Sequence, residues 1–158
     1  MPCRVSASSP TSAAANKQGE FVLQYSIDIT TPFLSSGHIG CQAFIQLIDG
    51  NPTSPGYGSP YGEDDASSEA VIIGNYATCT VYVPYSWAVQ NSTDYVVLNA
   101  GVVAGPSLVQ PTNLAVCNST NGPGCVTAFP GRIALKDLGA FAIPANGTST
   151  VKSVVFHI

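Results

Sequence analysis

Residues 69–87, with the sequence EAVIIGNYATCTVYVPYSW, decide the fold class of this chain. In their second half two sets of side chains alternate: Cys79, Val81 and Val83 share one face, and Thr78, Thr80 and Tyr82 share the other. A period of two is typical of a half-buried β-strand, and Thr, Val and Tyr suit its pleated surface. Gly74 and Asn75 indicate a turn or bulge, which makes residues 70–83 two strands or one bent strand. Pro84 has no N–H to donate, so we expect it to end the strand.

Similar alternation recurs along the chain and predicts seven or eight short strands and no helix. Besides residues 70–83, the predicted strands are 21–30, 39–49, 95–103, 133–135, 139–143 and 151–158. Short strands at these spacings predict an all-β fold, namely an antiparallel immunoglobulin-like β-sandwich. We expect this single domain to span residues 20–158, preceded by a flexible or extended arm at residues 1–19. Residues 50–68 are predicted to form a long loop.

The composition argues against several classes of function. Charged residues make up 9% of the chain, whereas an average globular domain has about 25%. The net charge is −4 and the five Lys and Arg are scattered singly, although nucleic-acid binding needs a basic stripe. The sequence contains no run of about 18 apolar residues that would predict a membrane span. Residues 1–6 lack the apolar segment of an intact signal peptide, so we expect a processed or recombinant form, or else a cytosolic protein.

Five cysteines favour an extracellular location, because disulfides persist in oxidising compartments. Cys117 and Cys125 flank a tight loop and are candidates for a local disulfide, while Cys41 and Cys79 lie on apolar faces of predicted strands and are candidates for a second one. Four cysteines allow three pairings, and the sequence leaves the choice open. Cys3 then remains as a free thiol or an inter-subunit bond. The alternative is a cytosolic chain with five reduced cysteines.

Four segments carry a resemblance to known proteins: YSIDI at 25–29, IGC at 39–41, CTVYVPYSW at 79–87 and IPANG at 143–147. In this order they resemble small secreted or surface β-sandwich proteins of bacteria, most of them without an assigned function. A second likeness is to pilin-type subunits, which have few charges and join by lending a strand to the next subunit. The resemblance implies an extracellular or cell-surface protein. The N-terminal arm departs from the chaperone–usher pattern, because it lacks the alternating apolar residues of a donor strand.

An edge strand near the C-terminus predicts self-assembly. Residues 151–158 alternate in character and carry Lys152 as the one charge that could guard a free edge. The candidate assembly residues of this strand are Val151, Val154, Phe156 and Ile158. We expect it to pair head to tail with another copy by strand addition, and Cys3 to lock the neighbours covalently. The predicted function is therefore a non-enzymatic extracellular structural subunit, of filament or surface-layer type, whose partners are copies of itself.

The alternative function is a carbohydrate- or calcium-linked adhesion module that uses residues 50–69. Its candidate glycan contacts are aromatic side chains that can stack on sugar rings, and they are Tyr57, Tyr61, Tyr85 and Trp87. Its candidate Ca²⁺ ligands are the carboxylates Asp49, Glu63, Asp64, Asp65 and Glu69. A plainer interpretation of the carboxylates is a solvated acidic loop, and a plainer one of Trp87 is packing at the edge of the core.

The sequence shows no catalytic motif and suggests no cofactor other than Ca²⁺. The two histidines, His38 and His157, have no supporting motif of a catalytic triad around them, and the cysteine spacing suits disulfides better than zinc. Three N-x-Ser/Thr sequons, at Asn91, Asn118 and Asn146, fall in predicted loops. They predict glycosylation only if the source organism glycosylates its proteins.

Overall fold

The computed structural model describes residues 15–30, 38–105 and 132–158, and it shows eight β-strands there. The strands are β1 (Ala15–Asp28), β2 (His38–Ile48), β3 (Pro60–Glu69), β4 (Val71–Ile73), β5 (Tyr76–Val89), β6 (Tyr95–Gly105), β7 (Arg132–Ala142) and β8 (Thr148–His157). These three segments contain no helix, so the prediction of an all-β fold is confirmed. Four predicted site residues lie outside the described residues: Cys3, Cys117, Asn118 and Cys125.

The strands form two four-stranded sheets. Sheet A has the order β4-β5-β1-β8, and sheet B has the order β3-β2-β6-β7. Neighbouring strands are antiparallel in every pair except β1 and β8, which run parallel. In sheet A, β8 therefore lies directly beside β1.

One cluster of buried side chains lies between the two sheets. Sheet A contributes alternate residues of its strands, among them Phe21, Leu23, Tyr25, Ile27, Val81 and Val83, and sheet B contributes Ile39, Ile45, Leu47, Val96 and Leu98. A disulfide joins Cys41 of β2 to Cys79 of β5, with Cα atoms 6.7 Å apart. The Tyr25 hydroxyl also crosses the core and donates a hydrogen bond to the carbonyl of Gln42. Apolar packing, this disulfide and this buried hydrogen bond thus all connect the two sheets.

The predicted turn at Gly74 and Asn75 connects β4 to β5. Ile73 pairs with Tyr76, so the loop of this hairpin has two residues. Gly74 has a φ of 62°, and no non-glycine residue in the described segments has a positive φ. A positive φ at the first central residue alone is the pattern of a type II′ turn, which suits the twist of a hairpin. Residues 70–83 therefore contain two strands, β4 and the first part of β5, which are joined by a tight turn.

Pro84 does not end β5, which continues to Val89. Within the described residues β4 pairs with β5 only as far as Thr78, and beyond that point β1 is the single neighbour of β5. Proline is tolerated on such an edge, because its missing N–H can face the unpaired side. The prediction that Pro84 stops the strand is wrong for this reason.

The first strand begins at Ala15, inside the stretch that the sequence predicts as an arm. Residues 15–19 pair with residues 85–89 of β5. The pairing is made by the backbone, so the segment forms a strand without the apolar alternation that would mark it in the sequence. β1 therefore begins earlier than predicted, and β5 continues beyond Pro84, because these two extensions pair with each other.

Residues 60–69 form strand β3 and not the second half of a long loop. Their sequence, PYGEDDASSE, is poor in strand-forming residues, but β2 pairs with it along its length. Tertiary pairing overrides local propensity here, as is common at sheet edges. The predicted strands 133–135 and 139–143 likewise form one strand, β7, in which Gly139 has a φ of 90°.

The predicted assembly strand corresponds to β8, which completes sheet A of the same chain. Val154, Phe156 and Ile158 are 5% exposed or less and belong to the core, while Val151 is exposed. Three of the four predicted assembly side chains are therefore packed inside the fold, and the backbone edge and the outward-facing side chains of β8 lie at the surface.

Candidate functional site

The five carboxylates predicted as Ca²⁺ ligands are spread over separate environments. Three have close side-chain partners: Asp64 accepts a hydrogen bond from Trp87 Nε1 at 2.7 Å, Glu63 accepts one from Gln46 Nε2 at 2.8 Å, and Glu69 pairs with His38 Nδ1 at 2.7 Å. Asp65 is exposed on β3, whereas Asp49 is buried after β2. The described part of the chain contains no group of three or more His, Cys, Asp or Glu that could hold a metal ion.

A buried carboxylate, Asp94, ties two connections of the fold together. It lies in the turn before β6 and is 5% exposed. It accepts hydrogen bonds from Gly50 N–H at 3.0 Å, from Gln90 N–H at 3.2 Å, from Asn91 N–H at 2.8 Å, from Asn91 Nδ2 at 3.3 Å and from the Tyr61 hydroxyl. Burial acts to raise the pKa of Asp94, but the hydrogen bonds from Tyr61, Gly50 and Asn91 outweigh it and hold the pKa below its ordinary value. We call this network the Asp94 clasp; its role is structural.

The four aromatic residues predicted to bind glycans do not form one surface. Tyr57 is 59% exposed in the loop before β3, and the hydroxyl of Tyr61 belongs to the Asp94 clasp. Tyr85 and Trp87 are buried, and their rings stack with centroids 4.5 Å apart. Burial, together with the hydrogen bond to Asp94, raises the pKa of Tyr61 to about 12. Only Tyr57 presents most of its ring to solvent.

The histidines and two of the sequons have ordinary structural partners. His157 Nδ1 lies 2.9 Å from Asp28 in an exposed pair, and His38 pairs with Glu69. Asn91 is half-buried and its Nδ2, the atom that a glycan would modify, donates to Asp94 and weakly to Asp49. Asn146 is exposed and accepts a hydrogen bond through Oδ1 from Gln18 N–H at 2.8 Å. Of these two sequons, Asn146 is the more accessible acceptor.

A polar hollow of about 380 Å³ lies at one end of sheet A. Its lining comes from three strands and one turn, and consists of Gln18, Gly19, Glu20, Tyr85, Ser86, Gly147, Thr148 and Ser149. The buried hydroxyl of Tyr85 has no hydrogen-bond partner there. Burial also raises the pKa of this hydroxyl, which therefore remains a neutral hydrogen-bond donor.

The outer face of sheet A is the largest feature that the sequence analysis did not predict. We define it by the side chains of β1, β4, β5 and β8 that point away from the core. Eight large apolar side chains are well exposed in the described residues, and six of them lie on this face: Val71, Ile73, Tyr76, Tyr82, Val151 and Val155. Scattered apolar side chains are normal on a protein surface, whereas a concentration on one face marks an interaction site.

The strand register arranges this outer face in rows. Val22 pairs with Tyr82 on one side and with Val151 on the other, and its neighbours cover it so well that it is 7% exposed although it points outward. The next row is polar and consists of Thr80, Gln24 and Ser153. On this face of the described strands, the charged residues of β1 are Glu20, near the middle of the strand and two residues before Val22, and Asp28, at its end. The three rows between them, those of Val22, Gln24 and Ser26, are uncharged.

The sequence contains a signal for this face, but the signal can be recognised only when the core-facing side of each strand is known. In residues 151–158, the outward positions alternate with the buried Val154 and Phe156, and two of the four, Val151 and Val155, are apolar. Such a strand is expected to be covered on both sides. Which strands lie beside it, and hence how far the apolar surface extends, depends on the tertiary structure.

Comparison with known proteins identifies no relative: the chain matches no protein-family model, no curated protein and no solved structure. In the part of the chain that the structure describes, no helix has both the length and the hydropathy that a membrane span requires.

Proposed function

We propose that this chain is a non-enzymatic structural subunit of the extracellular space or cell surface, and that it assembles with copies of itself into a filament or surface layer. The observation that carries the proposal is the outer face of sheet A, with six of the eight well-exposed large apolar side chains and an uncharged middle. Exposing an apolar face of this kind to water is unfavourable in free energy. Other copies of the same chain are the partners that are always present with a structural subunit.

The strand order supports an immunoglobulin-like β-sandwich as the scaffold of this subunit. Immunoglobulin domains place strands A, B, E and D in one sheet and C, F and G in the other, and further strands can extend the second sheet. The order β4-β5-β1-β8 matches D, E and B with β8 in the position of strand A, and β3-β2-β6-β7 matches C′, C, F and G. The departure is β8, which runs parallel to β1.

The disulfide supports the extracellular location. Cys41 and Cys79 are joined across the core, and disulfides of this kind form and persist in oxidising compartments. The surface agrees with this, since a chain with 9% charged residues has mostly uncharged polar groups to offer to water. Such a surface suits an assembled layer better than a freely dissolved protein.

The first test is the native mass of the full chain, measured by light scattering or sedimentation over a range of protein concentrations. We expect an assembly larger than the 16.3 kDa monomer. Tyr82→Lys, in the apolar row, is expected to shift the assembly towards the monomer, whereas Ser67→Lys, on an exposed position of β3, adds the same charge elsewhere and is the matched control. A wild-type chain that stays monomeric at every concentration would refute the proposed function.

A second candidate function, saccharide binding, is favoured by one observation. Tyr85 lines a polar hollow of about 380 Å³, and its hydroxyl is buried and unpartnered, so a local movement of the lining would make it a donor to a sugar hydroxyl. This moves the candidate glycan site from residues 50–69 to the end of sheet A. A glycan array tests it: binding by the wild type that Tyr85→Phe abolishes would support the adhesion module, and an array without any hit would refute it.

A further inference from the structure

We infer that assembly starts with a two-fold pair in which the outer face of sheet A packs on the same face of a second copy, and not with strand addition at an edge. This inference rests on the proposed function and names the contact by which the copies meet. It follows from two independent observations, the state of the sheet edges and the row pattern of the face.

The edges of both sheets carry the features that prevent strand addition. Soluble proteins protect their edges with very short strands, prolines, lysines and inward-pointing charges. In sheet A, β4 has three residues and the exposed part of the β5 edge contains Pro84. In sheet B, β3 carries Asp64 on its core-facing side, where it binds Trp87 Nε1. Much of the small charge of this chain is therefore placed where it blocks edge pairing.

The edge of β8, predicted from the sequence to be nearly unguarded, is also protected. The N–H of Ile158 donates to Asp28 of β1, so the backbone groups of the even-numbered residues of β8 face β1 and those of Val151, Ser153 and Val155 face away. Lys136 of β7 reaches across and donates to the carbonyl of Val155 at 3.2 Å. An incoming strand would have to displace this lysine.

The outer face of sheet A has no comparable protection. Its charged residues on β1 are Glu20, near the middle of the strand and one row from Val22, and Asp28, at the end of the strand and paired with His157. Between Glu20 and Asp28, the side chains that the described strands expose to solvent are uncharged. They form one apolar row, one polar row and further apolar positions. Burying this middle would leave no unpaired charge, and an unpaired charge is the main cost that prevents apolar faces from stacking.

The row pattern is self-complementary about a two-fold axis that runs along β1. Such an axis places Val22 opposite Val22 and Gln24 opposite Gln24, because both residues are on β1. It also exchanges the two neighbours of β1, so that Tyr82 on β5 faces Val151 on β8 of the second copy. The Val22 row then meets the Val22 row and the Gln24 row meets the Gln24 row, as an isologous contact requires. Val155 meets Thr78, and Glu20 and Asp28 each lie opposite their own copy towards the two ends of the contact.

The area of the face is sufficient for a specific but weak pair. Three strands about 4.8 Å apart, paired over roughly ten residues, give a flat footprint of roughly 500 Å² per copy, and β4 lies outside this contact. Two such faces bury roughly 1,000 Å², the lower limit of a specific interface. We therefore expect a reversible two-fold pair, from which any longer assembly is built through further contacts.

The experiment uses Gln24, which is exposed at the middle of the face and lies opposite itself in the proposed pair. Gln24→Glu and Gln24→Lys each set two like charges against each other, so either variant alone should associate at least about tenfold more weakly than the wild type. An equimolar mixture of the two should recover wild-type association, because Glu then faces Lys. Recovery on mixing supports the two-fold contact; two variants that both weaken and do not rescue each other would overturn it.

Strand addition is tested in parallel by hydrogen exchange at Ser153 in the wild type. In the two-fold pair the outward N–H of Ser153 forms no new hydrogen bond and exchanges fast, whereas strand addition would protect this amide on association. A monomeric wild type refutes the proposed function itself; a wild type that assembles with protected Ser153 and with indifferent Gln24 variants overturns only the two-fold contact.

Discussion

Replacing Asp94 by asparagine is expected to destabilise the fold by more than its position in a turn would indicate. The substitution preserves size and shape and changes only one carboxylate oxygen into an amide nitrogen. Asp94 Oδ1 accepts from Gly50 N–H and Asn91 Nδ2, and Oδ2 accepts from Gln90 N–H, Asn91 N–H and the Tyr61 hydroxyl. In asparagine, the amide nitrogen replaces either Oδ1 or Oδ2. At either position it is a hydrogen-bond donor that points at other donors, so the bonds at that position are lost.

The magnitude follows from the less costly of the two orientations. With the amide nitrogen at the Oδ1 position, two N–H donors lose their acceptor, and each unsatisfied donor in a buried site costs about 1–3 kcal/mol. The three remaining bonds also weaken, because hydrogen bonds to an ionised carboxylate are about twice as strong as neutral ones. We therefore expect the free energy of unfolding to fall by about 2–6 kcal/mol, a large part of a typical domain stability.

The assay is equilibrium unfolding in urea at a fixed protein concentration, followed by the fluorescence of Trp87, the single tryptophan of the chain. Asp137→Asn is the matched control, because Asp137 is exposed and accepts one backbone hydrogen bond, from Gly139 at 2.7 Å. The control should lose less than about 1 kcal/mol. If Asp94→Asn costs no more than Asp137→Asn, the reasoning about the clasp is refuted.

The pH dependence gives a second and independent test of the clasp. The pKa of Asp94 lies below its ordinary value of 3.8 in the folded state, so the ionised carboxylate stabilises the fold at pH values above that ordinary value. This contribution is lost as the pH falls through the lowered pKa, and asparagine cannot make it at any pH. The stability difference between wild type and Asp94→Asn should therefore shrink from neutral pH to about pH 2. A difference that does not change with pH would contradict the assigned pKa direction.

Two further substitutions probe the packing of the fold. Gly50→Ala would place a Cβ against the backbone carbonyl of Thr93, so we expect a loss of about 2 kcal/mol or more in urea unfolding, whereas the exposed Ser67→Ala should be nearly neutral. The double variant Cys41→Ala/Cys79→Ala opens a link between residues 38 positions apart, which loop-closure entropy values at roughly 4 kcal/mol. A loss below about 1 kcal/mol would show that this cross-link contributes little to stability. Whether the bond forms is tested in a Cys3/Cys117/Cys125→Ser background, by thiol alkylation under denaturing, non-reducing conditions. A mass that does not change on alkylation would confirm the disulfide.

The sequence alone is enough to predict where the strong strands are and which of their side chains are buried. Alternation in residues 76–83, 39–49 and 95–103 reflects a local rule, because successive side chains of a strand point to opposite faces whatever its neighbours are. The same rule placed Cys41 and Cys79 on inner faces and made their disulfide a candidate. It failed for β3 and for the start of β1, where pairing to a neighbour stabilises a segment without alternation.

The tertiary structure alone decides which strands are neighbours, and with that it decides the candidate site. The Asp94 clasp joins residues 44 positions apart, and the apolar row of Val22, Tyr82 and Val151 exists only because β8 lies beside β1 and β1 beside β5. No local pattern encodes such an adjacency, since strand order follows from the packing of the whole chain. The sequence therefore determines which side of each strand faces the core, whereas the fold determines that the opposite sides of four strands combine into one surface that is rich in exposed apolar side chains and is uncharged between Glu20 and Asp28.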